Sequence, residues 1–580
     1  MTNTKHEGLR RLYRYHKKAR QLIFAGLILS AISGVLDLIS PLLLSKIMDE
    51  FAAYVGHFEG DDMILLLINS LIVLVIISFA TATVKNNLVS RGSGMLGVKL
   101  RMDLFEKMGR IPFNKLMNMR TGDTTNVLAN DCDKVSSLSG QVLDSAIRSI
   151  VLVIGSAAMM FYIDEELALV SIFPISSSVL IIVFYAKSMD RYYYKQSKAF
   201  GKANDRIAEN FRGHAIIKTS GSEEKFKRQF ERINNVIRKR TNKLLNGLTL
   251  IPTLMKFLTN VGYVSICGYG ILMIEDGRAS FGVLIASLVY MKLFTQPIDD
   301  LSVVALNLKT LEGASERIFD VLDTEEIRQQ ELIEKTDFKG EVEFEHVWFS
   351  YDGKRDVIKN FSFSAKAGDT VAVVGLSGSG KTTLMNLMMG LYEPRAGEIR
   401  IDGIPLMDLS KNQVRNMFSL VAQDSWVFKG TYRDNIIYNS GSITDEELQE
   451  VCRIAGMDYV NDLPEGLDTY IEEPSALSLG QKQQICVARA MAHKAPILVM
   501  DEITNSIDIK TERSIIDSIS HMKQRRTTFV VAHRLSTIKT ADLIIVIEDG
   551  YIKESGRMQE LIAKRGIFYE MVAAQNGAQF

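Results

Sequence analysis

Six apolar segments in the first 301 residues restrict how this chain can fold more than any other feature of it. They fall near residues 22–47, 63–84, 146–162, 167–185, 248–273 and 281–301. Each can cross a hydrocarbon layer of about 30 Å as a helix. In lipid the backbone must satisfy its own hydrogen bonds, so helices are the form such segments take. The connections sort by charge. The short ones, 49–62, 163–166 and 275–280, carry Asp49, Glu50, Glu59, Asp61, Asp62, Asp164, Glu165, Glu166, Glu275 and Asp276, with Arg278 as the basic exception. The long ones, 85–144 and 187–246, are rich in Lys and Arg. Positive charge stays inside, which places the long connections and both termini in the cytoplasm.

The long connections read as more than loops. Residues 201–211 and 226–245 are polar helix with apolar positions at helical spacing, so the membrane helices are expected to run on into the cytoplasm. Turn-rich interruptions at 119–123, at Arg212-Gly213-His214 and at Ser220-Gly221-Ser222 mark their tips, where short helices would meet a cytoplasmic motor. Residues 9–20 are basic and partly amphipathic, which reads as an interfacial helix and not as a cleavable signal. Asp37 interrupts the first span, and Lys256, Asn260, Tyr263 and Lys292 raise the same question in the fifth and sixth. Such groups either line a polar cavity or make helix-packing and snorkelling contacts.

A chain of 580 residues is too long for one ordinary domain, and 68 basic against 68 acidic residues imply no polyanion partner such as nucleic acid. Cys132, Cys267, Cys452 and Cys486 lie far apart without metal-ligand spacing, as buried hydrophobes or free thiols do. Composition changes after Leu322. The organisation expected is an all-α domain at 1–322 (interfacial helix plus six spans), a linker at 323–338 and an α/β domain at 339–580.

In that second domain a β-branched run leads into Gly375-Leu376-Ser377-Gly378-Ser379-Gly380-Lys381-Thr382-Thr383 and then into a helical pattern. This is the strand–loop–helix setting of a phosphate-binding loop: backbone N–H groups converge on an anion, the helix dipole points at it, and Lys381 adds a full charge. A nucleoside triphosphate uses all three. A second motif, Ile497-Leu498-Val499-Met500-Asp501-Glu502, is an apolar strand ending in two acids. There Asp501 with the Thr382 hydroxyl suits Mg²⁺, and Glu502 suits polarising a water.

Between these motifs, Leu477-Ser478-Leu479-Gly480-Gln481 resembles the signature sequence of ATP-binding cassette (ABC) transporters. Tyr351 resembles the family's adenine-stacking aromatic, Gln423 the Q-loop glutamine, Ser506-Ile507-Asp508 the D-loop and His533 the switch histidine. The first half is similar to the exporter branch, with Gly122-Asp123, Asn130-Asp131 and Gln296-Pro297 in matching places. The resemblance implies a multidomain membrane protein: a six-helix transmembrane domain with long cytoplasmic extensions, then a P-loop ATPase domain with a signature subdomain.

The resemblance also implies roles. Tyr351, Gly375, Ser377, Gly378, Ser379, Gly380, Lys381, Thr382, Thr383, Gln481 and Asp508 would bind ATP; Ser478 and Gly480 would complete the site from a second copy. Thr382, Gln423 and Asp501 would hold Mg²⁺, and Glu502, Gln423 and His533 would serve hydrolysis. The expected activity is ATP-driven export of an amphipathic, peptide-like or lipid substrate by a homodimer in a bacterial inner membrane. The alternatives are half of a heterodimer, or an ATP-sensing receptor or channel. Leu479 departs from the usual glycine, and the segment Glu472-Glu473-Pro474-Ser475-Ala476 lacks the pattern usual before the signature in exporters.

Overall fold

A computed structural model describes residues 7–53, 62–119, 121–326, 337–438, 443–501, 526–531, 538–539 and 541–575. The chain separates into two compact units: 1–110 with 119–324, and 111–118 with 325–580.

The first unit is helical. Its elements are α1 (Glu7–Tyr15), α2 (Lys17–Ala53), α3 (Asp62–Arg110), then, after α4 (Phe113–Asn118) of the other unit, α5 (Thr121–Asn126), α6 (Cys132–Ile163), α7 (Glu165–Arg212), α8 (His214–Thr219), α9 (Glu223–Glu275) and α10 (Phe281–Leu322). Among the described residues, five helices are long and apolar enough to cross a membrane; they correspond to the first, second, third, fifth and sixth predicted spans. The fourth predicted span lies in α7, where the side chains of residues 172–191 are outside the described residues. At 49 residues α3 is roughly 70 Å long, more than twice the apolar thickness, so the predicted continuation past the bilayer is present. Local capping sets the helix starts. His16 Nδ1 accepts from Ala19 N at 3.2 Å, the Asp164 side chain from Leu167 N at 2.8 Å and Ser280 Oγ from Val283 N at 3.2 Å.

The tips differ in detail from the sequence reading. Near the first tip the chain breaks at Ile111-Pro112, α4 precedes the predicted turn, and Thr121–Asn126 is helical; Arg120 is outside the described residues. The second tip is as expected, with the short helix α8 between Gly213 and Ser220. The N-terminal helix is more than an interfacial one. Leu12 is fully buried among Leu100, Leu104, Val135 and Ile318, and Arg11 pairs with Asp323 at 2.5 Å while lying 4.3 Å over the Phe319 ring.

Two polar layers cross the contact of α2, α3 and α6. In one, Asp37 accepts from Arg148 Nη2 at 3.0 Å and from Ser78 Oγ at 3.2 Å. In the other, Lys85 Nζ meets Asp144 Oδ2 at 3.0 Å, and Ser30 Oγ donates to the Asp144 carbonyl at 3.3 Å. Of the two readings left open for Asp37, the helix-packing bond is the one found. Lys85 and Asp144 are the two ends of the predicted long connection, brought together. An unpaired charge at this depth is costly, and each layer sets a cation against a carboxylate.

The chain between α5 and α6, Val127–Asp131, is one turn of π-helix. Asp131 there is inaccessible to solvent and accepts from Arg317 Nε (2.7 Å) and Nη2 (2.9 Å) and from Lys134 Nζ (2.8 Å). Burial opposes its ionisation, but these bonds outweigh burial and hold its carboxyl below the usual range. What this lock contributes is complete above the ordinary carboxylate pKa near 4 and is lost as pH falls below that.

The second unit holds two sheets. The first is antiparallel, in order β2 (Ile358–Ala365), β1 (Val342–Phe349), β4 (Ala396–Ile401) and β5 (Ile404–Pro405). The second contains β3 (Thr370–Gly375), β6 (Phe418–Val421), β9 (Ile497–Asp501), β10 (Thr527–Val531), β11 (Leu543–Glu548) and β12 (Tyr551–Gly556), in order β12-β11-β3-β10-β9-β6; a small hairpin pairs β7 (Gly430–Thr431) with β8 (Tyr470–Ile471). All neighbours in the six-stranded sheet run parallel except β11 and β12. Its central strands β3, β9, β10 and β11 are mostly apolar because both faces are covered, whereas the edge strand β12 carries Lys553, Glu554 and Ser555. The helices here include α11 (Lys381–Met388), α12 (Lys411–Met417), α13 (Tyr432–Ile437), α14 (Asp445–Ile454) and α15 (Leu479–Ala492). Val371, Val373, Ile497, Val499, Phe529 and Val531 face a core shared with Leu384, Met385, Leu387 and Met388 of α11. Their alternates Ala372, Val374, Leu498, Met500 and Val530 face a second core shared with Ile485, Cys486, Val487 and Ala488 of α15. The helix after the phosphate loop and the helix after the signature therefore pack on opposite faces of one sheet.

Candidate nucleotide site

The candidate site is built at the C-terminal edge of the parallel strands, where a ligand crevice forms in such sheets. The loop from β3 to α11 is held by its glycines. A Cβ on Gly375 would lie 2.3 Å from the Ile547 carbonyl oxygen and 2.6 Å from Ser379 Oγ, and Gly380 (φ +111°) has Ile358 Cδ1 2.9 Å from where a Cβ would stand. Lys381 is buried and curls over its own loop, its Nζ donating to the Gly375 carbonyl at 2.8 Å and the Leu376 carbonyl at 3.0 Å. Ser379 Oγ is buried with no hydrogen-bond partner among the described residues. An orphaned hydroxyl, a lysine ammonium and a helix N-terminus around one glycine loop fit an anionic phosphate.

The register brings the second motif alongside. β10 runs parallel to the loop strand β3, and β9 runs parallel to β10, with Val531 opposite both Val373 and Asp501. Thr382 Oγ1 donates to Asp501 Oδ2 at 3.3 Å. β6 pairs Val421 with Met500, so Gln423 follows two residues past the strand on the same edge and is exposed. A hydroxyl, a carboxylate and an amide oxygen are hard donors of the kind Mg²⁺ takes, so these residues fit it. Tyr351 is half-exposed, and its hydroxyl is 3.0 Å from Thr383 Oγ1. Its ring stands edge-on to Phe349 at 4.9 Å and to Tyr392 at 5.1 Å. Tyr392 had no signal in the sequence, because its contact is set by the turn after α11. Glu502, Asp508 and His533 lie outside the described residues.

The signature residues are elsewhere in the unit. Ser478 caps α15: its Oγ accepts from Gln481 N at 3.2 Å, while Gln481 Oε1 accepts from Ser478 N at 3.0 Å. Gln481, expected to take part in nucleotide binding, thus also closes its own helix through its side-chain oxygen. Gly480 is buried, and Leu479 is 43% exposed.

Comparison with known proteins matches residues 23–298 to the family model described as ABC transporter transmembrane region and residues 358–505 to the one described as ABC transporter. A fatty acid ABC transporter ATP-binding/permease protein of Mycobacterium bovis is 34% identical over 481 residues, covering 82% of this chain and 76% of the relative. An ATP-dependent lipid A-core flippase of Vibrio cholerae is 28% identical, covering 98% of each chain. The structure of a bacterial Atm1-family ABC exporter with ATP bound superposes with a TM-score of 0.79 at 23% identity, over 97% of this chain and 99% of that one, a likeness of fold.

Proposed function

The chain belongs to the ABC transporter family, and on that premise we propose that two copies of it form a homodimeric pump for amphipathic or peptide-like compounds. It is a multi-pass integral membrane exporter that binds ATP and couples ATP hydrolysis to transport. One observation carries the dimer reading. The Lys381 loop leads into a helix on one face of the six-stranded sheet and Ser478 opens a helix on the other, so one copy does not bring its own signature to its own phosphate loop. A second copy, reversed, supplies Ser478 and Gly480 to that loop.

In this reading the backbone of residues 375–383 and Lys381 receive the β- and γ-phosphates, Ser379 Oγ gains a partner there, and Tyr351 offers its exposed ring to the base. Thr382, Asp501 and Gln423 would hold Mg²⁺, which when bound neutralises phosphate charge. Glu502 orients the attacking water, with His533 and Asp508 beside the γ-phosphate and at the seam. The cassette and both termini face the cytoplasm of a bacterial inner membrane, with domain limits at 1–322 and 339–580. The relatives named for a fatty acid and for lipid A-core favour an amphiphile as cargo.

The test is ATPase activity and size of the singly expressed chain in nanodiscs, with flux into inverted vesicles. Hydrolysis is expected only in dimers, with ATP-dependent uptake of an acyl amphiphile. Full-rate hydrolysis by a monomer ends this reading. One observation favours a second reading, half of a heterodimer: Leu479, an exposed aliphatic, stands in a signature whose usual residue at that place is glycine. Leu479→Gly is expected to raise the steady-state ATPase rate severalfold, by removing bulk where the partner's γ-phosphate docks. An unchanged rate means the seam tolerates leucine.

A further inference from the structure

An unbroken file of side chains leads from the phosphate-loop helix to the tip helix α4. Thr383, buried on α11, shares a hydrogen bond with the Tyr351 hydroxyl at 3.0 Å. The Tyr351 ring meets Tyr392 at 5.1 Å and 90°. Phe349 braces both, at 4.9 Å from Tyr351 and 5.4 Å from Tyr392. Tyr392 in turn meets Phe113 at 5.6 Å and 88°. Perpendicular contacts of this kind set a positive ring edge on a negative face, so each ring fixes the orientation of the next. The position of Tyr392 is itself built in. After α11 the chain turns at Gly390 (φ +65°), whose N–H bonds back to the Leu387 carbonyl while Leu391 N bonds to that of Asn386. Phe113 opens α4, three residues beyond the end of α3. The Lys115–Glu325 pair at α4 is exposed and adds little.

We propose that Tyr392 is a positioning residue for the nucleotide base, held in place by Phe113, so that the tip helix between the second and third spans tunes ATP affinity at the base end of the site. The proposal rests on the reading of Tyr351 as the base platform. Its physical content is entropic and geometric. A tyrosine ring 51% exposed has freedom that stacking on a base would have to freeze, and the edge of Tyr392 removes part of that freedom beforehand. Pulling Phe113 away would loosen Tyr392, then Tyr351, while leaving the phosphate loop as it is.

The experiment is equilibrium binding of ATP and, separately, of inorganic tripolyphosphate to the full chain in nanodiscs. Phe113→Ala and Tyr392→Leu are each expected to weaken ATP binding roughly two- to tenfold, the scale of one aromatic contact. Tripolyphosphate, which has no base, is expected to bind them as it does the unaltered chain. The double variant is expected to be no weaker than the worse single one, and Tyr392→Phe, which keeps the ring, to match the unaltered chain. If Tyr351→Ala weakens ATP while Phe113→Ala does not, the proposal falls and the base platform stands. If Tyr351→Ala changes nothing, the platform reading falls and takes the proposal with it. Equal loss of ATP and tripolyphosphate in Phe113→Ala signals general loosening and also overturns it.

Discussion

Glu502→Gln is expected to keep ATP binding near that of the unaltered chain and to cut steady-state hydrolysis by roughly 10²- to 10⁴-fold, the usual worth of a positioned general base. The residue follows Asp501 directly, at the end of the strand whose carboxylate meets Thr382. Glutamine preserves size and removes one negative charge next to a polyanion, so binding does not suffer. Its amide cannot take a proton from water, so turnover does. Phosphate release and a nucleotide titration on the same preparation separate the two effects, and near-normal hydrolysis would remove Glu502 from the role.

Lys381→Ala is expected to weaken ATP binding by roughly ten- to hundredfold, the value of one or more charge-assisted hydrogen bonds. Lys381 is buried and already bonded to two carbonyls of its own loop, so the ammonium is held in position before any ligand arrives. Little ordering cost remains on binding, which is why its removal costs so much. Unchanged affinity in an ATP titration would count against this role.

The phosphate loop was legible because it is local: Gly375, Gly378, Gly380 and Lys381 act within one turn of chain, and the geometry their types demand is the geometry found. The long helical extensions beyond the apolar spans were legible from apolar spacing for the same reason. A glutamine three residues after a serine also fits a capping box, and Ser478 with Gln481 forms one. Arg148 lies within the third predicted span, at 146–162. Its partner Asp37 lies 111 residues away, and no local pattern reports such a pairing.

By itself the sequence determined that this chain enters lipid as helices and cradles a phosphate, because burial in hydrocarbon and a strand–glycine–lysine turn each depend on residue identity along a short run. Tertiary structure alone decided which intramembrane charges neutralise one another, that α11 and α15 take opposite faces of the sheet, and that Phe113 reaches Tyr351 through Tyr392. Each of these is set by packing between segments far apart in the chain, where the partner is chosen by three-dimensional fit.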